Sequence, residues 1–311
     1  MKINFSLLII CFSTLLNSCM KAKHADLIIH NARIHTMNEN NNIENAIAIK
    51  DGKIIEVGPE RQILNKYSSD ETIDAGGKDV YPSFTDGRSN LLAYANQKLN
   101  LELTGTASID ELIVRIEKYS QRNQKKIIVG YGLDLSFWNK DESINIERLN
   151  SSFPKLPICI YSKDGSKVVV NQKMSQLIKS KLSIQVESGI VNLNSIALIE
   201  KLFTKPNNKE LTQAILEIQD ELFQYGITNI NEANLSFENI SYIKQLIASN
   251  KLKLNIYGML APSEANFTFA KKHPKFQYKD FSIRSFDVAI ENSDATQNLN
   301  NEELKRIALV C

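Results

Sequence analysis

The residues best placed to do chemistry stand in "VYPSFTDGRSN", residues 80–90. An apolar, hairpin-like segment precedes them, so the stretch reads as a short strand running into a loop. Strand ends of this kind often deliver a metal-binding His-x-His pair, yet the last three residues here are Arg88, Ser89 and Asn90. A guanidinium is a permanent cation with no lone pair to donate, so Arg88 repels a metal. Asn90 offers only a neutral carbonyl oxygen, a poor ligand for zinc. Two carboxylates could orient a ligand nearby: Asp86, and Glu232 at the end of the strand-like "ITNINEA". A lone carboxylate is more often an acceptor for nearby loop backbone. Four histidines occur, and they do not make a second site. His24, His30 and His35 lie in N-terminal strands; His30 and His35, if on one strand, face opposite sides. They read as polar residues at a sheet edge. His273 precedes Pro274 at a helix end, which fits a capping or surface role.

The elements that must position these residues fall into three stretches. Residues 26–80 read as β, with "DLIIHNARI" and "NAIAIKDGKIIEVG" rich in Ile and Val, and Asp51-Gly52 predicting a tight hairpin turn. Residues 91–209 are mixed. Ser108 and Glu111 form a capping box before Ile109, Leu112, Ile113 and Ile116 at helical spacing. "KIIVGYGLD" and "LPICIYS" read as strands. From 210 the pattern becomes regular: a helix stopping at Gly226, "ITNINEA" as strand, a helix opened by Ser236, "KLKLNIYGML" as strand, "SEANFTFAKKH" as helix and "FSIRSFDVAI" as strand. A last helix is predicted from Asn300 to Cys311. Strand–helix alternation of this kind argues for parallel βα units.

The chain has 311 residues, 43% hydrophobic and 23% charged, with 37 basic against 35 acidic residues. That is the composition of a globular protein, and the dispersed lysines give no reason to expect a nucleic-acid partner. At the N-terminus, Lys2 precedes "INFSLLIICFSTLLNS", an apolar run shorter than the roughly 20 residues of a membrane span. It reads as the hydrophobic part of a secretory signal, residues 1–18. Leu16-Asn17-Ser18-Cys19 resembles a bacterial lipobox, which makes Cys19 the expected lipidation site and membrane lipid its partner. The expected location is the bacterial cell envelope, outside the cytoplasm. A plain signal peptide or an uncleaved anchor is the alternative. Of the four cysteines only Cys159 and Cys311 are left to pair, so no disulfide framework is expected. Cys159, in the apolar "PICIYS", reads as a small buried hydrophobe.

Taken in order, these motifs resemble the amidohydrolase superfamily, in its branch of large secreted or lipid-anchored amidases, the amidohydrolase family 3 type. The family's Pro-Gly-Phe-x-Asp-x-His-x-His stands here as Pro82 to Asn90, and "GYGLDLSFW", "LNSSFPKLPICIYSKDG" with Asn171 after it, "YGITNINEA" and "IRSFDVAIEN" follow in family order. The resemblance implies an α/β fold: a composite β-domain over 22–80 and a (β/α) TIM-type barrel over 81–311, with an inserted α/β subdomain at about 95–205. It implies hydrolysis of a non-peptide C–N bond by water on a divalent metal, zinc, with ligands at the C-terminal mouth of the barrel. Residue by residue, the metal positions are degenerate. Arg88 and Asn90 take the first histidine pair, Ser166 takes the histidine of an Asp-Gly-His, and Asp287 takes the lysine that carbon dioxide modifies in the family.

Four barrel strands are predicted, beginning near 80, 227, 252 and 282, where a closed barrel needs eight. Such an incomplete barrel is expected to leave strand edges and an apolar interior unprotected, and to pair as a homo-oligomer or with a complementary half-barrel polypeptide. No cofactor is expected to bind this chain. The reading is an amidohydrolase-like membrane lipoprotein, catalytically inactive as this chain. Three alternatives stay open: an active or split amidase with altered ligands, using Asp86, Glu232 or Asp287; a non-catalytic small-ligand-binding surface lipoprotein; and no function at all, a degrading gene product.

Overall fold

The computed structural model describes residues 22–123, 125–138 and 144–287. The leader with Cys11 and Cys19, and the helix expected from Asn300 to Cys311, lie outside the described residues. The chain divides into two compact units, Met1–Ser83 and Phe84–Cys311. Among the described residues no helix is long and apolar enough to cross a membrane.

In the first unit, β1 (Lys23–His30), β2 (Arg33–His35), β3 (Ile43–Glu44), β4 (Ala46–Lys50) and β5 (Lys53–Gly58) lead to helix α1 (Glu60–Lys66), then β6 (Tyr67–Asp74) and β7 (Asp79–Val80). They form two sheets, ordered β5-β4-β1-β6 and β3-β2-β7. The hairpin between β4 and β5 turns at Asp51 and Gly52, both at positive φ, 50° and 69°. An all-β reading of 26–80 misses α1, whose seven residues are too few to show a helical period and which buries only Ile63. His30 and His35 do not share a strand either. The chain turns at Asn31, φ 48°, so each histidine ends its own strand.

The second unit opens with β8 (Phe84–Ser89), which starts later than the sequence suggests and passes through Asn90 straight into α2 (Leu91–Lys98). The inserted portion follows: β9 (Leu101–Glu102), α3 (Ile109–Arg122), β10 (Ile128–Leu133), α4 (Ile146–Ser152), β11 (Ile158–Ser162), β12 (Val168–Val170), α5 (Gln172–Leu182) and β13 (Ile190–Val191). Its sheet runs β13-β12-β11-β10-β9, parallel from β9 to β11 and antiparallel beyond. Ser108 caps α3 by accepting from the Glu111 N–H, while the Glu111 side chain reaches back to the N–H of Ala107. Asn171 pins this subdomain. It is fully buried, its Oδ1 accepts from the N–H of Ile158 and of Met174, and its Nδ2 donates to the carbonyls of Phe153 and Leu156. One side chain thereby joins β11, the α4–β11 loop and the first turn of α5.

The barrel portion resumes with α6 (Asn208–Gln224), opened by a capping box of Asn207 and Glu210, then β14 (Ile227–Leu235), α7 (Phe237–Ala248), β15 (Asn255–Leu260), α8 (Glu264–Lys272), β16 (Phe276–Tyr278) and β17 (Phe281–Phe286). The sheet order is β16-β17-β15-β14-β8, and its four longer strands are parallel. One face, carrying Ile230, Ile256, Phe281 and Ile283, packs on Ile215, Ile218, Ile240 and Ile243 of the helices. His273 caps the end of α8 through its backbone N–H and sets its ring against Phe269.

The other face corrects the expectation of an apolar interior. Thr85, Asn229, Asn231, Asn255, Tyr257 and Ser282 line an open concavity of about 630 Å³. Asn255 Nδ2 donates to Asn229 Oδ1 at 2.8 Å across the β14–β15 pair, and Asn231 Nδ2 donates to the Gly87 carbonyl across β14–β8. The outer edge of β17 is not bare either, because antiparallel β16 pairs with it from Phe276 to Tyr278. Replacing Asn171 by Ala strands buried backbone donors and acceptors, so urea unfolding should show a loss of about 3 kcal/mol. Asn255→Ala, on the solvated face, should cost well under 1 kcal/mol.

Candidate functional site

Parallel strands bring their C-terminal ends to one mouth, and here that mouth holds Arg88 from β8, Glu232 from β14 and Asp287 just past β17. Two strands, β14 and β15, separate β8 from β17. On a flat sheet that is three strand spacings, roughly 14 Å, with side chains perpendicular to the plane. Yet Arg88 Nη2 lies 3.1 and 3.0 Å from the two oxygens of Asp287. The sheet curls far enough for its first and fourth parallel strands to meet across the concave side. The Asp287 side chain is 12% exposed and that of Arg88 61%, so the carboxylate is sheltered and the guanidinium covers it from solvent.

Glu232, opposite Ser89 in the β14–β8 pair, is 2% exposed. Its Oε2 accepts from the N–H of Leu91 at 2.7 Å and its Oε1 from that of Leu92 at 3.1 Å. These are orphan donors in the first turn of α2, where the helix dipole favours a negative charge. Asn90, the N-cap residue, makes no side-chain cap bond, so a carboxylate from the neighbouring strand does the capping. Burial raises the Glu232 pKa, the two N–H bonds pull it down, and the negative charge of Asp86 raises it further. Asp86 itself accepts from the Arg88 N–H at 3.1 Å. Asp86 and Glu232 thus both accept from backbone N–H groups.

Ser166 stands apart from the mouth residues. Its N–H and Oγ donate to Asp164 Oδ1 within the β11–β12 turn, and Ser162 Oγ donates to the same oxygen. Those bonds hold the Asp164 carboxyl down to about 2. Cys159 is free and fully buried, and burial pushes its thiol up, away from reactive thiolate character.

Among the described residues of the mouth no free donor set for a divalent metal is presented: the Asp287 oxygens face the Arg88 guanidinium, and the Glu232 oxygens accept from the first N–H groups of α2. Elsewhere, His24, Asp26 and Asp70 bring three donor atoms within 4.8 Å of one another on the first unit's sheet. Sequence reading missed this group, since β1 and β6 become neighbours only through parallel pairing of His24 with Ser68 and its surroundings. It is largely exposed: His24 already contacts Asp70 at 3.2 Å, and Asp26 accepts from the Asp51 N–H.

Comparison with known proteins supports the amidohydrolase superfamily. The Bacillus subtilis protein YtcJ, named as an amidohydrolase, is 25% identical over 152 residues, 48% of this chain and 29% of its own length. N-substituted formamide deformylase of Arthrobacter pascens is 31% identical over 97 residues, covering 30% of this chain and 18% of that protein. Imidazolonepropionase of Brucella anthropi is 37% identical over 93 residues, 28% and 23% respectively. The matches thus span less than a third of these relatives' lengths. No family model matches. The fold is that of an uncharacterized metal-dependent hydrolase from Pyrococcus horikoshii, with TM-score 0.68, 22% identity, and coverage of 91% of this chain and 62% of that one.

The asymmetric shelter of the Arg88–Asp287 pair sets its energetics. Arg88→Ala leaves a mostly buried carboxylate without its partner, whereas Asp287→Ala leaves a cation that water can solvate. Urea unfolding should therefore find Arg88→Ala the more damaging, and a double-mutant cycle should give a coupling of about 1 kcal/mol. Equal single-mutant losses with zero coupling would show that the pair does not hold the mouth.

Proposed function

We propose that this chain, amidohydrolase-like in fold and sequence, is a lipid-anchored envelope protein whose barrel mouth is held by an ion pair instead of a catalytic metal. It does not by itself hydrolyse a C–N bond. The observation that carries the reading is the contact of Arg88 Nη2 with both oxygens of Asp287. The family's chemistry needs a Lewis acid that can accept a lone pair from water and lower its pKa. A guanidinium supplies positive charge but no vacant orbital and no exchangeable coordination position. What Arg88 supplies is a charge-assisted hydrogen bond that draws β8 and β17 together. Glu232, engaged by two backbone N–H groups, is positioned to fix the start of α2 rather than to move a proton in the mouth.

Two experiments test the two halves of this reading. Purified protein incubated with zinc and desalted should retain no metal at the mouth. Any zinc retained should be unchanged by Asp287→Ala and lost with His24→Ala, which marks it as peripheral. Stoichiometric zinc released by Asp287→Ala, together with amide hydrolysis abolished by a chelator, would instead establish an altered-ligand amidase. For the anchor, fatty-acid labelling in a bacterial host should mark the wild-type chain and leave Cys19→Ala unlabelled and released from the membrane fraction. Labelling of Cys19→Ala at wild-type level would remove the lipid-anchor reading.

A further inference from the structure

The first unit carries a group of metal-ligating side chains that the barrel mouth does not use. His24 and Asp26 stand two apart on β1, so they share a face of its sheet. In the parallel β1–β6 pair, Ala25 is opposite Ser69 and Leu27 opposite Glu71, which sets Asp70 across from Asp26 on that face. One imidazole nitrogen and one oxygen from each carboxylate lie within 4.8 Å of one another, the one such group of three among the described residues.

Part of the geometry is already in order. His24 Nε2 lies 3.2 Å from Asp70 Oδ2. Ligand atoms about 2.1 Å from a zinc ion stand roughly 3.4 Å apart on a tetrahedron, so this pair is at coordinating separation. Asp26 Oδ2 accepts from the Asp51 N–H at 2.6 Å, a bond supplied by the turn between β4 and β5. A carboxylate held by a backbone donor keeps its orientation while its other lone pairs stay available. The side chains of His24 and Asp70, 49% and 74% exposed, can close the remaining separations by rotation.

Charge supplies the reason for a cation. Like charges directly opposite across a strand pair repel, and Asp26 faces Asp70 in that way. The antiparallel β1–β4 register sets Lys50 opposite Asp26, yet no lysine or arginine forms an ion pair with either aspartate among the described residues. The unit's other histidines are placed differently. His35 meets Asp79 at 2.8 Å, but Arg33 reaches the same oxygen at 3.4 Å and supplies positive charge there. His30 lies 3.8 Å from Glu60 Oε1, and the other Glu60 oxygen accepts from the Asn31 N–H.

We propose that His24, Asp26 and Asp70 bind a divalent transition-metal ion, zinc among them, which ties β6, the last strand of its sheet, to β1. One imidazole and two carboxylates suit zinc and its first-row neighbours, whereas calcium demands more oxygens and magnesium keeps most of its water. The ion replaces the proton between His24 Nε2 and Asp70 Oδ2, and that proton leaves to solvent. Water completes the coordination at this exposed position. The ion offsets the repulsion of the two aspartates and cross-links a strand that has a single pairing partner in its sheet.

The test is calorimetric titration of the full chain, stripped of metal by a chelator, with zinc chloride and with magnesium chloride. Zinc should bind saturably and raise the thermal midpoint by about 5 °C at roughly a hundredfold excess over its dissociation constant; magnesium should do neither. His24→Ala and Asp70→Asn should each weaken zinc at least about tenfold. Both change exposed side chains, and Asp70→Asn, which removes the like-charge contact, should unfold no earlier than wild type without metal; should one variant not fold, the other carries the test. Asp287→Ala should bind zinc as wild type does, so this result stands or falls separately from the reading of the barrel mouth. Absence of saturable zinc binding by folded wild-type protein overturns the proposal. So does magnesium binding as tightly as zinc, wild-type zinc affinity in a folded His24 or Asp70 variant, or loss of zinc with Asp287→Ala.

Discussion

The mouth of the barrel is organised around one placement of positive charge. Three carboxylates stand towards the ends of the parallel strands, Asp86 acting on Glu232 and Asp287 facing Arg88, and a negative charge sheltered from water needs a partner to offset it. In this chain the cation is covalent: Arg88, two residues from Asp86, reaches the far strand and closes on Asp287. That contact spans the curl of the sheet and lies over the sheltered Asp287 carboxylate. Glu232 stays out of it because α2 begins one turn away and its first N–H groups demand an acceptor. A resident guanidinium also changes what the mouth can exchange. A metal leaves when chelated, whereas an arginine leaves only if the chain moves.

The concave face is consistent with the same economy. Barrel interiors are ordinarily filled with branched apolar side chains in layers. In this sheet, Ile and Phe point to the helices, and Asn, Thr, Ser and Tyr point to the open side. Amide groups there bond one another across strands, Asn255 to Asn229, so the face is satisfied with water against it. The pressure to cover this surface is therefore smaller than strand count alone suggests. The β16–β17 hairpin reduces it further by occupying part of the edge.

Much of this was legible in the sequence because it rests on local rules. The Asp51-Gly52 hairpin, the Ser108 and Asn207 caps, and the stop at Gly226 follow from side-chain and φ preferences within a few residues. The polar face was also written there, as the period-two alternation of Asn229 and Asn231 in "TNINEA" and of Asn255 and Tyr257 in "NIY", but an expected barrel interior masked it. The Arg88–Asp287 contact was not legible. It joins residues 199 positions apart through the curvature of a sheet, which no local pattern encodes. The same holds for Asn171: the family motif marks it, yet only the burial of its four hydrogen bonds shows that it serves the fold.

That last distinction bears on where activity in such a chain should be sought. Family motifs here separate into two physical kinds. Asn171 and Glu232 stand at motif positions and use them to satisfy backbone groups of the fold. Arg88, Asn90, Ser166 and Asp287 occupy positions to which the resemblance assigns metal chemistry; Arg88 has no lone pair to offer a metal, and the Asp287 carboxylate is engaged by it. The inserted subdomain carries a cleft of its own, lined by the ends of its parallel strands and by the stacked Tyr131 and Tyr161.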